Sequence, residues 1–272
     1  MCILFFILNE NARDDEYKLI LASNRDEFYA RPAKVAGPWK ENEFVIGGRD
    51  MEPGREGGTW LAISTKDHTF KFGALLNITG EKKGPDALPR GNIVVDYVQK
   101  PITNAQYCQD LIDTDKEYNA FNLITIEIRE RIKTIYYCNV NNEAHQSLQN
   151  EVLGFGNSLT HQPLQKVIGG REKFRAIVKR QNQSKEELVK SLNELLSDRE
   201  KHWPDDELHR RAPNWSEHLC SICARVPAAE YGSRTRTIIL VDGNNKVDFY
   251  EETMATTDPD GEWIRTHIQT EF

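Results

Sequence analysis

The sequence is poor in cysteine and has no long hydrophobic run. Only five of its 272 residues are cysteine, and their irregular spacing argues against a disulfide framework and favours a reducing compartment. No apolar stretch approaches the roughly 20 residues that a membrane-spanning helix needs. The apolar opening, residues 2–8, has no basic segment before it and no cleavage site after it, so it is interpreted as a strand rather than a signal peptide. We expect a cytoplasmic protein without a membrane span.

Excess positive charge and modular sequence are also lacking. The formal net charge is −7, which weighs against sequence-independent nucleic-acid binding because that requires a basic surface. No repeat, low-complexity tract or Pro/Gly/Ser linker divides the chain. Hydrophobic residues make up 39% and charged residues 28%, an ordinary globular composition. Residues 1–272 are therefore predicted to form a single domain whose partners are small molecules or other proteins.

Hydrophobic periodicity predicts strands at both ends of the chain and helices in the middle. This order favours an α+β fold with two mainly antiparallel sheets packed face to face and helices outside, a four-layer αββα sandwich. Turns are expected at Gly47-Gly48, Gly54 and Gly57-Gly58. The predicted helices are 90–99, 104–113, 164–180 and 185–199, and the predicted strands are 2–8, 18–25, 59–64, 70–78, 121–128, 132–140, 152–155, 219–226, 235–241, 246–251 and 262–268.

The first two predicted strands suit an antiparallel hairpin. If the hairpin closes symmetrically, Leu8 pairs with Lys18 and Cys2 lies across from Asn24, within a residue or two of register error. The sequence therefore brings Cys2 to the polar end of the second strand.

Cys2 is the first candidate catalytic residue. Removal of the initiator methionine is expected before so small a residue, and it would leave one residue that carries both a thiol and a free α-amino group. An α-amine with a pKa near ~8 can accept a proton close to neutral pH, so a nucleophile of this kind needs no separate histidine. The alternative is a cysteine at position two by chance.

Four polar residues, Asn24-Arg25-Asp26-Glu27, follow directly on an apolar strand. In extended geometry Asn24 and Asp26 share one face, while Arg25 and Glu27 share the other. A nearby arginine would lower the pKa of the thiol, and Asp26 or Asn24 would orient the α-amine. The alternative is a surface ion pair that closes a turn.

Five motifs in order along the chain identify a family resemblance. They are Met1-Cys2 at the start of a strand, Asn-Arg-Asp-Glu-Phe-Tyr at 24–29, Gly-Gly-Thr-Trp-Leu at 57–61, Phe-Asn-Leu-Ile at 121–124 and Tyr-Gly-Ser-Arg-Thr at 231–235. Together they resemble the transport and Golgi organisation protein family, also called the NRDE family. That family is considered similar in fold to N-terminal-nucleophile hydrolases, which agrees with the predicted sandwich.

The wider hydrolase resemblance implies roles for several residues. Cys2 matches the nucleophile, Arg25 and Asp26 match an arginine–aspartate pair, and Asn77 and Asn157 resemble the oxyanion-hole asparagines. Arg234 resembles a late active-site arginine. The cysteine-type acylases separate their arginine and aspartate by two residues, whereas here the two are adjacent, so both cannot occupy the acylase positions.

The resemblance leaves three functions open. Members of the family are linked to Golgi organisation and secretion, to haem trafficking, to lipid and acyl-CoA metabolism, and to the Golgi and mitochondria. One hypothesis is therefore a pocket at Cys2 and Arg25 for a small hydrophobic anion, haem or acyl-CoA, with Arg90 and Arg234 as further ligand-binding residues and no cofactor required. The second is an active N-terminal-cysteine amidohydrolase or thioesterase. The third is a protein-interaction scaffold that supports secretion.

Two other patterns favour structural roles. Cys220 and Cys223 have CxxC spacing without a second pair and are predicted to pack in a core strand. The seven histidines lack the spacing of a zinc site. We expect no metal.

Overall fold

A computed structural model describes residues 2–81, 84–146 and 151–272. It contains two mainly antiparallel sheets with a few helices, which confirms the predicted α+β class. By its contacts the chain divides into two compact units, the first formed by Met1–Ala30 and Gln149–Gln269 and the second by Arg31–Leu148 and Thr270–Phe272. The single-domain organisation and the four-layer sandwich stay predictions.

The helices and strands of both units are numbered in chain order. The strands are β1 (Ile3–Leu8), β2 (Tyr17–Phe28), β3 (Ala33–Trp39), β4 (Asn42–Asp50), β5 (Leu61–Ser64), β6 (Phe70–Asn77), β7 (Phe121–Ile128), β8 (Ile132–Cys138), β9 (Glu143–Gln146), β10 (Leu153–Phe155), β11 (Arg225–Val226), β12 (Tyr231–Asp242), β13 (Lys246–Met254) and β14 (Trp263–Glu271). The helices are α1 (Gly91–Gln99), α2 (Asn104–Ile112), α3 (Gln165–Val178), α4 (Lys185–Leu196), α5 (Asp206–Arg211) and α6 (Ser216–Leu219), and two short 3₁₀ turns cover Lys66–His68 and Pro227–Ala229.

The first unit is built on a sheet with strand order β10-β1-β2-β12-β13-β14, to which β11 adds by pairing with β12. Helix α3 contacts β1 and β10, and α4 contacts β2 and β12. The apolar face of these helices supplies Phe174 and Leu192 to a core that also includes Phe5 and Leu240. Burial of such side chains stabilises the unit by about 1.5–3 kcal/mol each.

Helix α4 begins where its sequence predicts. The Ser184 side chain accepts a hydrogen bond from the Glu187 amide, and the Glu187 carboxylate accepts one from the Ser184 amide. These two bonds satisfy amides that the first turn of a helix leaves unpaired. The helix ends at Leu196, three residues before the predicted end.

The second unit is a sheet in which β3 to β9 follow one another in space as in sequence. The sheet is therefore a meander, and it includes the hairpin of β7 and β8. Helices α1 and α2 cover one side of it, where Tyr97 and Val94 pack in a core with Phe121 and Leu123.

The prediction of a turn at Gly47-Gly48 was wrong, because both residues lie within β4. A side chain has no room at either position. A Cβ atom at Gly47 would lie 2.7 Å from the Leu61 carbonyl oxygen, and one at Gly48 would lie 2.6 Å from the Trp60 ring. These glycines permit close approach of neighbouring backbone and side chains rather than a chain reversal.

The hairpin of β1 and β2 is confirmed, but its register differs from the prediction by one residue. Leu8 pairs with Leu19 instead of Lys18. The ladder continues one step further, because the Asn9 amide donates a hydrogen bond to the Lys18 carbonyl at 3.0 Å. Cys2 consequently lies one step beyond Asn24.

The strand predicted at 219–226 was largely wrong. Leu219 ends α6, and only Arg225–Val226 pairs as a strand. Cys220 and Cys223 therefore lie in an irregular segment. Both thiols are buried, which explains why the apolar run resembled a strand. Core packing by these cysteines is confirmed.

Candidate active site around Cys2

Cys2 lies at the start of β1, beside the polar end of β2. The pairing of Ile3 with Asn24, continued by one residue, places Cys2 across from Arg25. The Cys2 thiol points towards the backbone carbonyl of Asp26, at 4.0 Å. The structure therefore brings the predicted nucleophile to the predicted tetrapeptide.

Asn157 is placed on the opposite side of Cys2. Strand β10 pairs antiparallel with β1, and Leu4 is opposite Phe155. Continuation of this register by two residues places Asn157 beside Cys2. Asn157 is buried, so its side chain is fixed near the strand end. The position agrees with the role in an oxyanion hole that the resemblance implies, although that role itself stays a prediction.

Cys2 as a whole residue keeps some exposed surface, whereas the other four cysteines are buried. Burial raises the pKa of the Cys2 thiol, the charge of Asp26 raises it further, and Arg25 acts in the opposite direction. A thiol with a raised pKa is mainly protonated at neutral pH, and the thiolate is the nucleophilic form. Chemistry at Cys2 therefore needs a base to accept its proton.

Asp26 connects several parts of this site. One oxygen of its buried carboxylate accepts a hydrogen bond from the Ser233 hydroxyl at 2.5 Å. Ser233 in turn accepts a bond from the Ala224 amide at 3.0 Å. The Asp26 carbonyl, which faces Cys2, also accepts a hydrogen bond from the Tyr231 hydroxyl at 3.3 Å. These bonds hold the carboxylate and the carbonyl in fixed positions.

Lys166 is a site residue that sequence reasoning missed. Its ammonium nitrogen lies 4.0 Å from Asp26 Oδ2, and neither side chain has exposed surface. It lies in the first turn of α3, where the next residue, Val167, packs against Gly154 and Gly156 beside β1. Burial lowers the pKa of Lys166, while Asp26 and Cys2 act to raise it. A lysine in a helical pattern normally predicts a solvated surface, so the sequence carried no signal for this one.

Asn24 was predicted to be catalytic, but its amide nitrogen is used to join backbone segments. It donates hydrogen bonds to the Leu196 carbonyl at 2.8 Å and to the Ile222 carbonyl at 3.0 Å. Asn24 has no exposed surface. These contacts tie β2 to the end of α4 and to the segment after α6.

Arg25 and Glu27 share a face of β2, as the alternation of the strand predicts. Their side chains approach to 3.9 Å, and the Glu27 carboxylate accepts a hydrogen bond from the Phe28 amide at 3.0 Å. Arg25 is buried and Glu27 is partly exposed. The ion pair of the alternative reading is therefore present, but its arginine is not on the surface.

β12 contains a bulge at Arg234, between Ser233 and Thr235. Bulges re-aim side chains and often lie beside active sites. The Arg234 guanidinium donates hydrogen bonds to the Phe28 and Tyr29 carbonyls, at 2.9 and 3.0 Å. Arg234 thus fixes the backbone that follows the tetrapeptide, and its contact with a ligand stays a prediction.

Two predicted site residues belong to the second unit. Asn77 is exposed at the end of β6, opposite Phe121. Arg90 occupies the N-cap position of α1 and donates a hydrogen bond to the Ala120 carbonyl at 2.8 Å. Burial and the charge of Arg55 lower the pKa of Arg90. The functional roles assigned to both residues stay predictions.

An aromatic cluster lies beside the carbonyl that Cys2 faces. Phe28, two residues after Asp26, is 48% exposed. Its ring centroid lies 5.2 Å from that of Tyr231 and 6.4 Å from that of Trp215. The hydroxyl of Tyr231 and the thiol of Cys2 point to the same Asp26 oxygen.

Residues 2–81, 84–146 and 151–272 contain neither a metal-binding cluster nor a helix that could span a membrane. No group of three or more His, Cys, Asp or Glu side chains in these ranges is arranged to hold a metal ion. No helix in the same ranges has the length and apolarity to cross a membrane.

The burial pattern predicts selective alkylation. Under native conditions iodoacetamide is expected to modify Cys2 at least about tenfold faster than any other cysteine, because a buried thiol reacts only after local opening. Peptide mapping after a timed reaction measures the five sites separately. Comparable labelling of Cys108 or Cys138 would contradict the burial of these two thiols.

Comparison with known proteins agrees with the resemblance drawn from the motifs. The family model described as Transport and Golgi organisation 2 matches residues 1–256. Transport and Golgi organization protein 2 of Drosophila melanogaster is 47% identical over 281 residues, covering 100% of this chain and 99% of that protein. The human homolog is 35% identical over 266 residues, with 95% of each chain covered, and the bovine homolog is 34% identical over 275 residues, with 98% of each covered. The chain belongs to the Transport and Golgi organisation 2 family.

Proposed function

We propose that the protein is an N-terminal-cysteine acyl hydrolase, a thiol amidohydrolase or thioesterase. The observation that carries the proposal is the position of Cys2. Its thiol faces the Asp26 carbonyl, and extension of the two strand registers places Arg25 on one side of Cys2 and Asn157 on the other. Cys2 lies among buried charged residues, an arrangement common at functional sites, and its raised pKa requires the base that a free α-amine would supply.

The proposed reaction begins once Met1 has been removed. The Cys2 α-amine takes the thiol proton, and the sulfur forms a bond to the carbonyl carbon of an amide or thioester. The Asn157 side chain donates a hydrogen bond to the oxyanion. The bond from carbon to the leaving nitrogen or sulfur then breaks, and the leaving group takes the proton from the α-ammonium.

Water completes the cycle. It adds to the acyl-enzyme carbonyl and gives a proton to the α-amine, and the carbon–sulfur bond then breaks. The carboxylic acid leaves, and the thiol recovers its proton. Asp26 remains in place through its bond from Ser233 and stabilises the α-ammonium that forms in each half-reaction.

The biological setting is proposed from the relatives. Their names refer to transport and Golgi organisation, and we place the activity of this chain in the same process. A hydrolase that acts on acyl groups would alter the lipids or proteins that Golgi organisation requires.

The aromatic cluster favours a second candidate function, the binding and transfer of a hydrophobic anion such as haem or acyl-CoA. Phe28 and Trp215 pack with Tyr231, whose hydroxyl binds the carbonyl that the Cys2 thiol faces. Arg25 is a nearby cation. If this function holds, Arg25→Ala and Cys2→Ala should each weaken ligand titrations by about tenfold. Lys201→Ala, at an exposed salt bridge, is the control. Unchanged affinity in both site variants would remove both residues from the pocket.

Trapping of an acyl-enzyme tests the hydrolase. The wild-type protein is mixed with an aryl thioester, quenched in acid, and examined by intact-mass spectrometry and peptide mapping. We expect an acyl adduct on Cys2 that forms within one turnover and decays as free acid appears. Thioester hydrolysis without any adduct on Cys2, or an adduct on another residue, would contradict the proposal.

A further inference from the structure

Lys166 has no role in the proposed chemical steps, although it forms a buried ion pair with Asp26. Neither side chain has exposed surface, and their charged atoms are 4.0 Å apart. Transfer of an ammonium group into a protein interior is unfavourable unless other groups compensate its charge. Buried pairs of this kind contribute little net stability, so stability alone does not explain why Lys166 is buried beside Asp26.

The groups around Lys166 come from several segments of the first unit. Its electrostatic neighbours are Asp26 on β2 and Cys2 at the start of β1, together with Cys220 and Cys223 after α6. His202, in the segment between α4 and α5, is also within its electrostatic range. Lys166 is a cation and Asp26 a carboxylate within this set, and Arg25 is a further cation that acts on Cys2.

We propose that Lys166 is a positioning residue for Cys2, which holds the Asp26 carboxylate beside the thiol and balances its negative charge. The proposal rests on the proposed function only in treating Cys2 as the reacting group.

The physical reason is charge balance in a buried site. A carboxylate close to Cys2 opposes ionisation of the thiol by repulsion. An ammonium 4.0 Å from that carboxylate largely cancels the repulsion, because the pair has no net charge. Ser233 binds the other carboxylate oxygen, which keeps Asp26 in the orientation that faces Lys166. Loss of either partner should therefore change the ionisation of Cys2, and in opposite directions.

The test is the pH profile of Cys2 alkylation by iodoacetamide, measured by mapping of the N-terminal peptide. In Lys166→Met the carboxylate loses its counter-ion, so the profile is expected to shift by about one pH unit upward, with alkylation about tenfold slower below its midpoint. In Asp26→Asn the ammonium acts on the thiolate alone, so the profile should shift downward. The double variant Asp26→Asn/Lys166→Met should return towards the wild-type midpoint.

Lys173→Met is the matched control, because Lys173 lies on the same helix and pairs with Asp198 and Glu200. Its profile should coincide with that of the wild type. If Lys166→Met does not fold, the opposite shift in Asp26→Asn and the recovery in the double variant still test the proposal. Profiles of Asp26→Asn and the double variant that superimpose on the wild type would overturn it.

Failure of this inference and failure of the hydrolase are distinguishable. Alkylation needs no substrate, so the profile reports on the thiol even if no acyl-enzyme forms. Conversely, an acyl adduct on Cys2 with unshifted profiles would preserve the hydrolase and remove Lys166 from its site.

Discussion

Replacement of Cys2 by alanine is expected to lower thioester or amide turnover by at least about 10³-fold, because it removes the sulfur that forms the acyl bond in the proposed hydrolase. The free energy of unfolding should change by less than about 1 kcal/mol, since the side chain is small and the residue keeps some exposed surface. Steady-state kinetics and denaturant unfolding of the same preparation measure the two effects.

Cys108→Ala is the control for the Cys2 variant, because Cys108 is a buried cysteine of the second unit. It should keep full turnover while it loses about 1 kcal/mol or more of stability, since a buried sulfur is removed. Turnover that persists in the Cys2 variant would assign the chemistry to a different residue.

Replacement of Asn24 by alanine is expected to destabilise the protein by about 2–4 kcal/mol. It removes two hydrogen bonds, to the Leu196 and Ile222 carbonyls, and leaves those acceptors unpaired in a buried site. The melting temperature should fall by roughly 5–10 °C in a protein of this size. Differential scanning calorimetry and denaturant titration provide the measurement.

The matched control is Asn214→Ala, an asparagine on the surface, for which a change within about 0.5 kcal/mol is expected. The comparison also decides the role of Asn24. Normal stability together with lost activity in the Asn24 variant would restore the catalytic role that the sequence predicts, whereas lost stability supports the structural role.

The parts of the fold that the sequence predicted well are those with a strong local signal. The capping box at Ser184 locates the start of α4, and the long apolar runs locate β7 and β12. The sequence did not predict β3, which contains Gly37 and Pro38, two residues that strands usually exclude. This strand lies at the edge of its sheet and forms because β4 pairs with it.

The run at 219–226 failed for a related reason. Cys220 and Ile222 have no exposed surface, so the segment is apolar because it fills a core rather than because it forms a strand. Local sequence cannot distinguish these two causes of apolarity. Tertiary packing decides which of them holds.

The sequence predicted the part of the candidate site that the pairing of β1 with β2 brings together. The hairpin of β1 and β2 brings Cys2 to Arg25 and Asp26, with an error of a single residue in register. Lys166 was not predictable, because its burial depends on the packing of α3 against β1 and β10. The two hydrogen bonds of the Asn24 amide likewise depend on the end of α4 and on the segment after α6.

The state of the mature N-terminus decides whether Cys2 can act as both nucleophile and base. Intact-mass spectrometry of the purified protein, with sequencing of its N-terminal peptide, should show a chain that starts at Cys2 with an unmodified amine. A chain that keeps Met1, or one whose Cys2 amine is acylated, would contradict the account, because no free α-amine would then stand next to the thiol to take its proton.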